Sequence, residues 1–235
     1  MNNPELLQVY HFENKKRYGV NQDGGYVIAV LDGLYDCYIS AGIGGEESFS
    51  RDFIINNNLN CSNSFAFDGT IDVYPYHFTK DISFIKKNIN SFNDDHNCNL
   101  SFLTEKFNNI FLKIDIEGGE FPWLLNISHD HLRKFKQIVI ELHGITNDGW
   151  DSSYSDKVKC LEKLSTTHYI VHAHPNNNGP VLNNIPDVIE LTYVNKNYFN
   201  SSPPLNTLHL PDNILDFPND PNKPEILLNF HPFVN

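Results

Sequence analysis

Basic residues are scarce in this chain. Against 29 Asp and Glu stand 17 Lys and Arg, a formal charge of −12 with histidine neutral, and the tightest basic cluster is Lys15-Lys16-Arg17. Non-specific nucleic-acid binding depends on Lys and Arg neutralising phosphates, and anionic membrane surfaces attract the same side chains, so neither partner is expected. Cysteine is also scarce. Cys37, Cys61, Cys98 and Cys160 are scattered, with no Cys-x-x-Cys pair, which argues against a zinc or disulfide framework and predicts reduced thiols in a cytoplasmic protein. No apolar stretch approaches the roughly 20 residues of a membrane span. Met1-Asn2-Asn3-Pro4-Glu5 has neither the basic nor the apolar region of a secretory signal. There is no Gly-x-x-x-x-Gly-Lys loop, so the usual triphosphate cradle is missing. Repeats and long linkers are absent too. With 235 residues, 40% hydrophobic and 20% charged, a single α/β domain over 1–235 is expected: an N-terminal covering segment 1–34, a core 35–200 and an irregular covering tail 201–235. Apolar anchors Leu205, Leu208, Leu210, Ile214, Leu215 and Phe217 predict that this tail packs over the sheet.

What is present is an alternation of short apolar runs and helical stretches. The runs 35–40, 64–67, 82–85, 110–115, 137–142, 169–173 and 188–194 read as strands, with a further apolar run at 26–31. Helices are expected at 46–55, 100–107, 121–127, 131–135 and 155–164. Such alternation implies a doubly wound, mostly parallel sheet. In these sheets ligands sit outside the carboxyl ends of the strands, so polar residues at strand ends are candidates for chemistry.

Four strand ends stand out. Gly42-Ile43-Gly44-Gly45 lies between the first core strand and a helix, where glycines let backbone approach a ligand closely. Asp68 ends the next strand, 24 positions after Gly44 (68 − 44), near the offset of about 20 residues at which an acid meets a ribose diol. No basic residue follows the glycines, which suits a cofactor with an adenosine ribose and little negative charge. Asp115 ends a third strand and leads into Glu117-Gly118-Gly119-Glu120, and Glu141 and His143 end the one after it.

The ordered set Ser40-Ala41-Gly42-Ile43-Gly44-Gly45-Glu46, Phe67-Asp68, Leu112-Lys113-Ile114-Asp115-Ile116-Glu117-Gly118-Gly119-Glu120 and Ile140-Glu141-Leu142-His143 resembles the FkbM-type S-adenosylmethionine-dependent methyltransferases. The likeness is strongest over about residues 17–194, including Asp23-Gly24-Gly25-Tyr26 and His172-Ala173-His174-Pro175-Asn176. It implies a class I methyltransferase (Rossmann-like) fold: a seven-stranded sheet with an antiparallel last strand. It also implies O-methylation of a sugar, a glycan or a similar small polar acceptor. On this reading Ser40, Gly42, Gly44, Asp68 and Asp115 surround the S-adenosyl-L-methionine. The chain departs from the pattern at Ser40, where an acid is common, and at Gly69, where proline is common.

Methyl transfer is an in-line displacement, so an acceptor oxygen must be aligned, shielded from water and relieved of its proton. His143 suits the base, with Asp115 orienting the hydroxyl or tuning the imidazole, and Glu141 or His174 as replacements. Glu117, His174, Asn176 and Trp150 are the candidate acceptor contacts, Trp150 through ring stacking. Asp115, Glu141 and His143 are also candidate ligands of a divalent metal, with Glu117 and His174 nearby, although the motif match carries no metal site with it. Two alternatives stay open: a metal-dependent hydrolase built on His172, His174 and the carboxylates, and a non-catalytic cofactor-binding domain of the same fold.

Overall fold

The structure is a computed structural model that describes residues 3–235; Met1 and Asn2, the start of the segment read as free of a signal, lie outside the described residues. A 3-10 turn (Pro4–Leu7) precedes an antiparallel hairpin, β1 (Lys15–Tyr18) and β2 (Tyr26–Ala29). The core then runs β3 (Cys37–Ala41), α1 (Ser48–Asn56), β4 (Ser64–Phe67) and β5 (Ser83–Ile85). After a two-stranded pair, β6 (Asn88–Ile89) and β7 (Asn97–Cys98), come α2 (Ser101–Lys106), β8 (Ile110–Ile114), α3 (Glu120–Asn126) and α4 (His129–Leu132). β9 (Phe135–His143), α5 (Tyr154–Thr167) and β10 (His168–Pro175) follow. A small hairpin, β11 (Val181–Leu182) and β12 (Ile185–Pro186), leads into β13 (Val188–Asn195).

Seven strands form one sheet in the order β10-β13-β9-β8-β3-β4-β5. The block from β9 to β5 is parallel, whereas β13, the last strand in sequence, is antiparallel to both β9 and β10. This is the mixed α/β sheet expected from the alternation. From β3 the chain moves outward through β4 and β5, then returns to β8 on the other side of β3. The winding therefore reverses between β3 and β8, and a crevice opens at their carboxyl ends.

Strand periodicity divides the two faces. Cys37, Ile39 and Ala41 of β3, Leu112 of β8 and Ile138, Ile140 and Leu142 of β9 pack with Phe121 and Leu124 of α3 and Leu161 and Leu164 of α5. Tyr38, Phe111 and Val139 face the other way, against Phe49 and Phe53 of α1 and Tyr18, Tyr26 and Ile28 of the hairpin. The ring centroids of Phe53 and Phe111 are 4.0 Å apart. Burying each such side chain contributes about 1.5–3 kcal/mol. The same alternation points Gln137, Glu141 and His143 of β9 toward the hairpin face.

Several boundaries differ from the sequence reading. The helix expected at 131–135 lies two residues earlier and is shorter, at His129–Leu132. α4 begins at His129, where the Ser128 side chain accepts from the His131 N–H, and Phe135 already opens β9. Glu46 and Glu47 precede α1 instead of filling its first turn. The covering segment 1–34 also does more than cover, since Leu6, Leu7 and Val9 belong to the main core. The tail packs as expected, on the expected Leu210 and on two anchors outside the expected set. Leu210, Leu228 and Phe233 are buried in the main core, whereas Leu208 and Ile214 are 50% and 82% exposed. Polar groups complete the attachment, with Asn206, Asp216 and Asn219 all buried.

Candidate functional site

The glycine loop after β3 is fixed from three sides. The Gly42 N–H donates to Phe67 O at 3.0 Å, the Asp115 N–H donates to Ala41 O at 3.0 Å, and the Lys113 ammonium donates to Gly42 O at 2.7 Å. Gly42 has φ +77°, and a Cβ built on it would lie 1.5 Å from Asp115 O, so no other residue fits there. A Cβ on Gly44 or Gly45 would meet nothing within 4 Å, because these two face open space. Asp68 completes the loop. Its Oδ2 accepts from the N–H groups of Ile43 (3.0 Å) and Gly44 (3.3 Å), and its Oδ1 accepts from the Thr70 N–H and hydroxyl. Burial opposes its charge, but these hydrogen bonds outweigh burial and hold the Asp68 carboxyl below the usual range.

The loop, Asp68 and the end of β8 wall a cavity of about 610 Å³, within the usual range for a small-molecule site. Asp23, Glu46, Asp68, Asp115, Glu117 and Asp151 all line it, and Lys113 is the only basic lining residue among the described residues. Six carboxylates against one ammonium, which keeps its charge while donating to Gly42 O, make the cavity wall acidic.

At one end of the cavity two lining residues, Asp115 and Glu117, meet the buried His143, which does not itself line it. His143 Nε2 lies 3.4 Å from Glu117 Oε2 and 4.0 Å from Asp115 Oδ1. The other ring nitrogen, Nδ1, donates to Glu120 Oε1 at 3.2 Å. Asp115 Oδ2 accepts from the Tyr26 hydroxyl of the hairpin at 2.9 Å. Burial works against a charged imidazole, but the Glu120 hydrogen bond and the charges of Glu120, Asp115 and Glu117 raise the His143 pKa above its ordinary value. Trp150 leans over the imidazole with ring centroids 5.1 Å apart. Asp115 and His143 thus meet at one point, as their strand ends suggested.

Other expected site residues lie elsewhere. Ser40 is fully buried behind the loop, where its hydroxyl donates to Glu47 Oε1 at 3.0 Å, so it does not reach the cavity. Glu141 is buried and does not line the cavity. Its Oε1 accepts from Asn176 Nδ2 at 2.7 Å, which takes Asn176 out of reach as well. Burial first, and then Asp115 and Glu190, push the Glu141 carboxyl well above its ordinary range. The cause is register. Glu141 sits opposite Glu190, and Glu190 sits opposite His174, across three neighbouring strands.

His172 and His174 serve the tail, not the cavity. His174 donates through Nδ1 to Glu190 (3.1 Å) and through Nε2 to Glu225 (3.2 Å). Burial opposes this charge, but the two carboxylates hold its pKa at about 10. His172 donates through Nε2 to Asp216 at 2.9 Å and lies 3.3 Å from the Lys15 ammonium. With every ring nitrogen engaged, neither imidazole is free to ligate a hydrolytic metal. Glu190 is held by His174 and Asn219.

Two contributors carry no role in the sequence reading: Tyr26, which holds Asp115, and Glu120, which holds His143. Both lie inside quoted motifs. The available signal was Glu120 at the start of a helix, because a fully buried acid there must bond to something. The sequence matches no family model and no curated protein.

Proposed function

We propose that this chain is an S-adenosylmethionine-dependent O-methyltransferase acting on a hydroxyl of a sugar, a glycan or a similar small polar acceptor. One observation carries the reading: the glycine loop, Asp68 and Asp115 wall a single acidic cavity where the winding of the sheet reverses. The seven-stranded sheet with an antiparallel last strand is compatible with the class I methyltransferase fold that the FkbM resemblance implies. When bound, S-adenosylmethionine supplies a methyl group activated by a positively charged sulfonium. The donor set suits that group: open space over Gly44 and Gly45 for close approach, a carboxylate for the ribose and a negative field for the sulfonium.

The chain's own residues then divide the work. Asp68 accepts from the ribose hydroxyls while keeping the loop N–H groups in place. Asp115, oriented by Tyr26, directs the acceptor hydroxyl toward the methyl. His143, steadied by Glu120, takes the hydroxyl proton at Nε2. Trp150 gives the acceptor an apolar face beside the imidazole. A cofactor-binding domain without catalysis is a second reading, favoured by Asp68 having both oxygens already bonded within the loop.

Calorimetry with S-adenosylmethionine and native mass spectrometry of protein purified without added ligand test the assignment. Saturable binding at one site per chain is expected. No binding at millimolar cofactor would refute it, and binding without methylation across a panel of hydroxyl acceptors would favour the second reading.

A further inference from the structure

We propose that Asp115, Glu117 and His143 form a binding site for one divalent cation of the Mn²⁺ class at the wall of the acidic cavity. Its consequence for the acceptor rests on the methyl-transfer reading above; the site itself does not.

Each of these residues offers one donor atom, and the three lie within 4.8 Å of one another. Nε2 is 3.4 Å from Glu117 and 4.0 Å from Asp115, long for a well-formed hydrogen bond. In an octahedron with bonds of about 2.1 Å, adjacent donors are about 3.0 Å apart and opposite donors about 4.2 Å apart. The two spacings to the imidazole, 3.4 and 4.0 Å, fall between these values, and the two carboxylates offer oxygens within 4.8 Å of each other. Glu117, with its side chain 76% exposed, is free to close the remaining gap by rotating.

The imidazole provides an independent indication. His143 is only 5% exposed, and its Nδ1 is committed to the buried Glu120. This is the carboxylate–histidine arrangement that fixes the tautomer of a metal-ligating ring. With the proton on Nδ1, the Nε2 lone pair faces two carboxylates, a contact that either a second proton on Nε2 or a metal cation relieves. Asp115 is prepared in the same way, since Tyr26 occupies Oδ2 and leaves Oδ1 for the site. One imidazole with two carboxylates suits Mn²⁺ and its transition-metal neighbours better than Ca²⁺, and three protein ligands leave open positions toward the cavity.

With the cation bound, His143 is a ligand instead of the free base. An acceptor hydroxyl at an open position is oriented and made more acidic by coordination, as water is at catalytic metals, and its proton leaves to solvent through the cavity mouth.

The test uses the full chain and Mn²⁺ alone, followed by electron paramagnetic resonance and calorimetry without cofactor. One Mn²⁺ per chain is expected, with affinity at least tenfold weaker in Glu117→Gln and Asp115→Asn. In Asp151→Asn, which alters the same cavity outside the triad, affinity should be unchanged. Absence of stoichiometric binding would overturn the proposal, and so would equal losses in Glu117→Gln and Asp151→Asn, which would indicate diffuse attraction to an acidic wall. S-adenosylmethionine affinity, measured separately, keeps the two readings apart. Mn²⁺ binding without cofactor binding upholds the site and refutes methyl transfer. Cofactor binding without Mn²⁺ overturns the site and leaves methyl transfer standing.

Discussion

Glu120 accepts a hydrogen bond from His143 Nδ1 at 3.2 Å, and the same carboxylate accepts the backbone N–H groups of Ile116 (2.9 Å) and Gly118 (3.0 Å). One fully buried acid therefore positions both the imidazole and the turn that carries Glu117. Among the contributions to the raised His143 pKa, that of Glu120 is the largest favourable one. Glu120→Gln keeps the shape but removes the charge, so it should lower the His143 pKa, which is measurable by NMR titration of the imidazole. An unchanged titration would show that Asp115 and Glu117 dominate instead.

His143→Ala should slow methyl transfer by about 10²–10⁴-fold, the usual contribution of a group that manages the transferred proton. Cofactor affinity should barely change, because His143 lies beyond the loop and Asp68. Turnover within a factor of a few of the unmodified protein would remove His143 from the mechanism.

Asp68→Ala should weaken S-adenosylmethionine binding at least tenfold, since a hydrogen bond to a charged group contributes about 1.5–3 kcal/mol. The substitution also strands the N–H groups of Ile43 and Gly44. Calorimetry on this variant with undiminished affinity would exclude a ribose contact.

Gly42→Ala and Gly44→Ala should separate cleanly. Both glycines have positive φ, but only the Gly42 Cβ would strike backbone, at 1.5 Å from Asp115 O. Gly44→Ala should cost about 1–2 kcal/mol for the left-handed conformation. Gly42→Ala should cost more and disrupt the contact between the loop and β8. Equal denaturant midpoints for the two variants would contradict this.

The tail should loosen in alkali. His174 has a folded pKa of about 10, raised above the ordinary 6.5. Its contribution to stability is therefore complete below about pH 6.5 and is lost as pH rises through about 10. Amide exchange in residues 205–235 should accelerate over that interval, and His174→Gln should flatten the dependence. Asp216 behaves oppositely. Burial disfavours its charge, but His172 and His174 hold the carboxyl below its ordinary value, so its contribution is present near neutrality and lost in acid.

The parallel core was legible because its strands are continuous apolar runs: β3, β4, β8 and β9 lie close to where the sequence suggests, and Asp68, Asp115 and His143 sit at their ends. β1 was not, because Lys15-Lys16-Arg17 reads as a charged surface cluster, yet its side chains turn onto the buried His172 and onto aromatic rings. The assignment of His172 and His174 failed for a similar reason. Their partners Asp216 and Glu225 lie 44 and 51 residues downstream, and nothing local marks such distant pairings. Ser40 and Glu141 end strands as active-site residues do, but Glu47 and Asn176 claim them from neighbouring segments.

The two tryptophans are placed very differently. Trp123 is 1% exposed within the main core, whereas Trp150 is 43% exposed and stands 5.1 Å from the His143 ring. The molecule thus contains its own optical probe. The buried Trp123 should emit to the blue and change little, so a change in fluorescence on titration or ligand addition is expected mainly from Trp150 beside the imidazole. A protonated imidazole quenches a neighbouring indole, so the ionisation of His143 can be followed in dilute solution without a label, even before any acceptor is known.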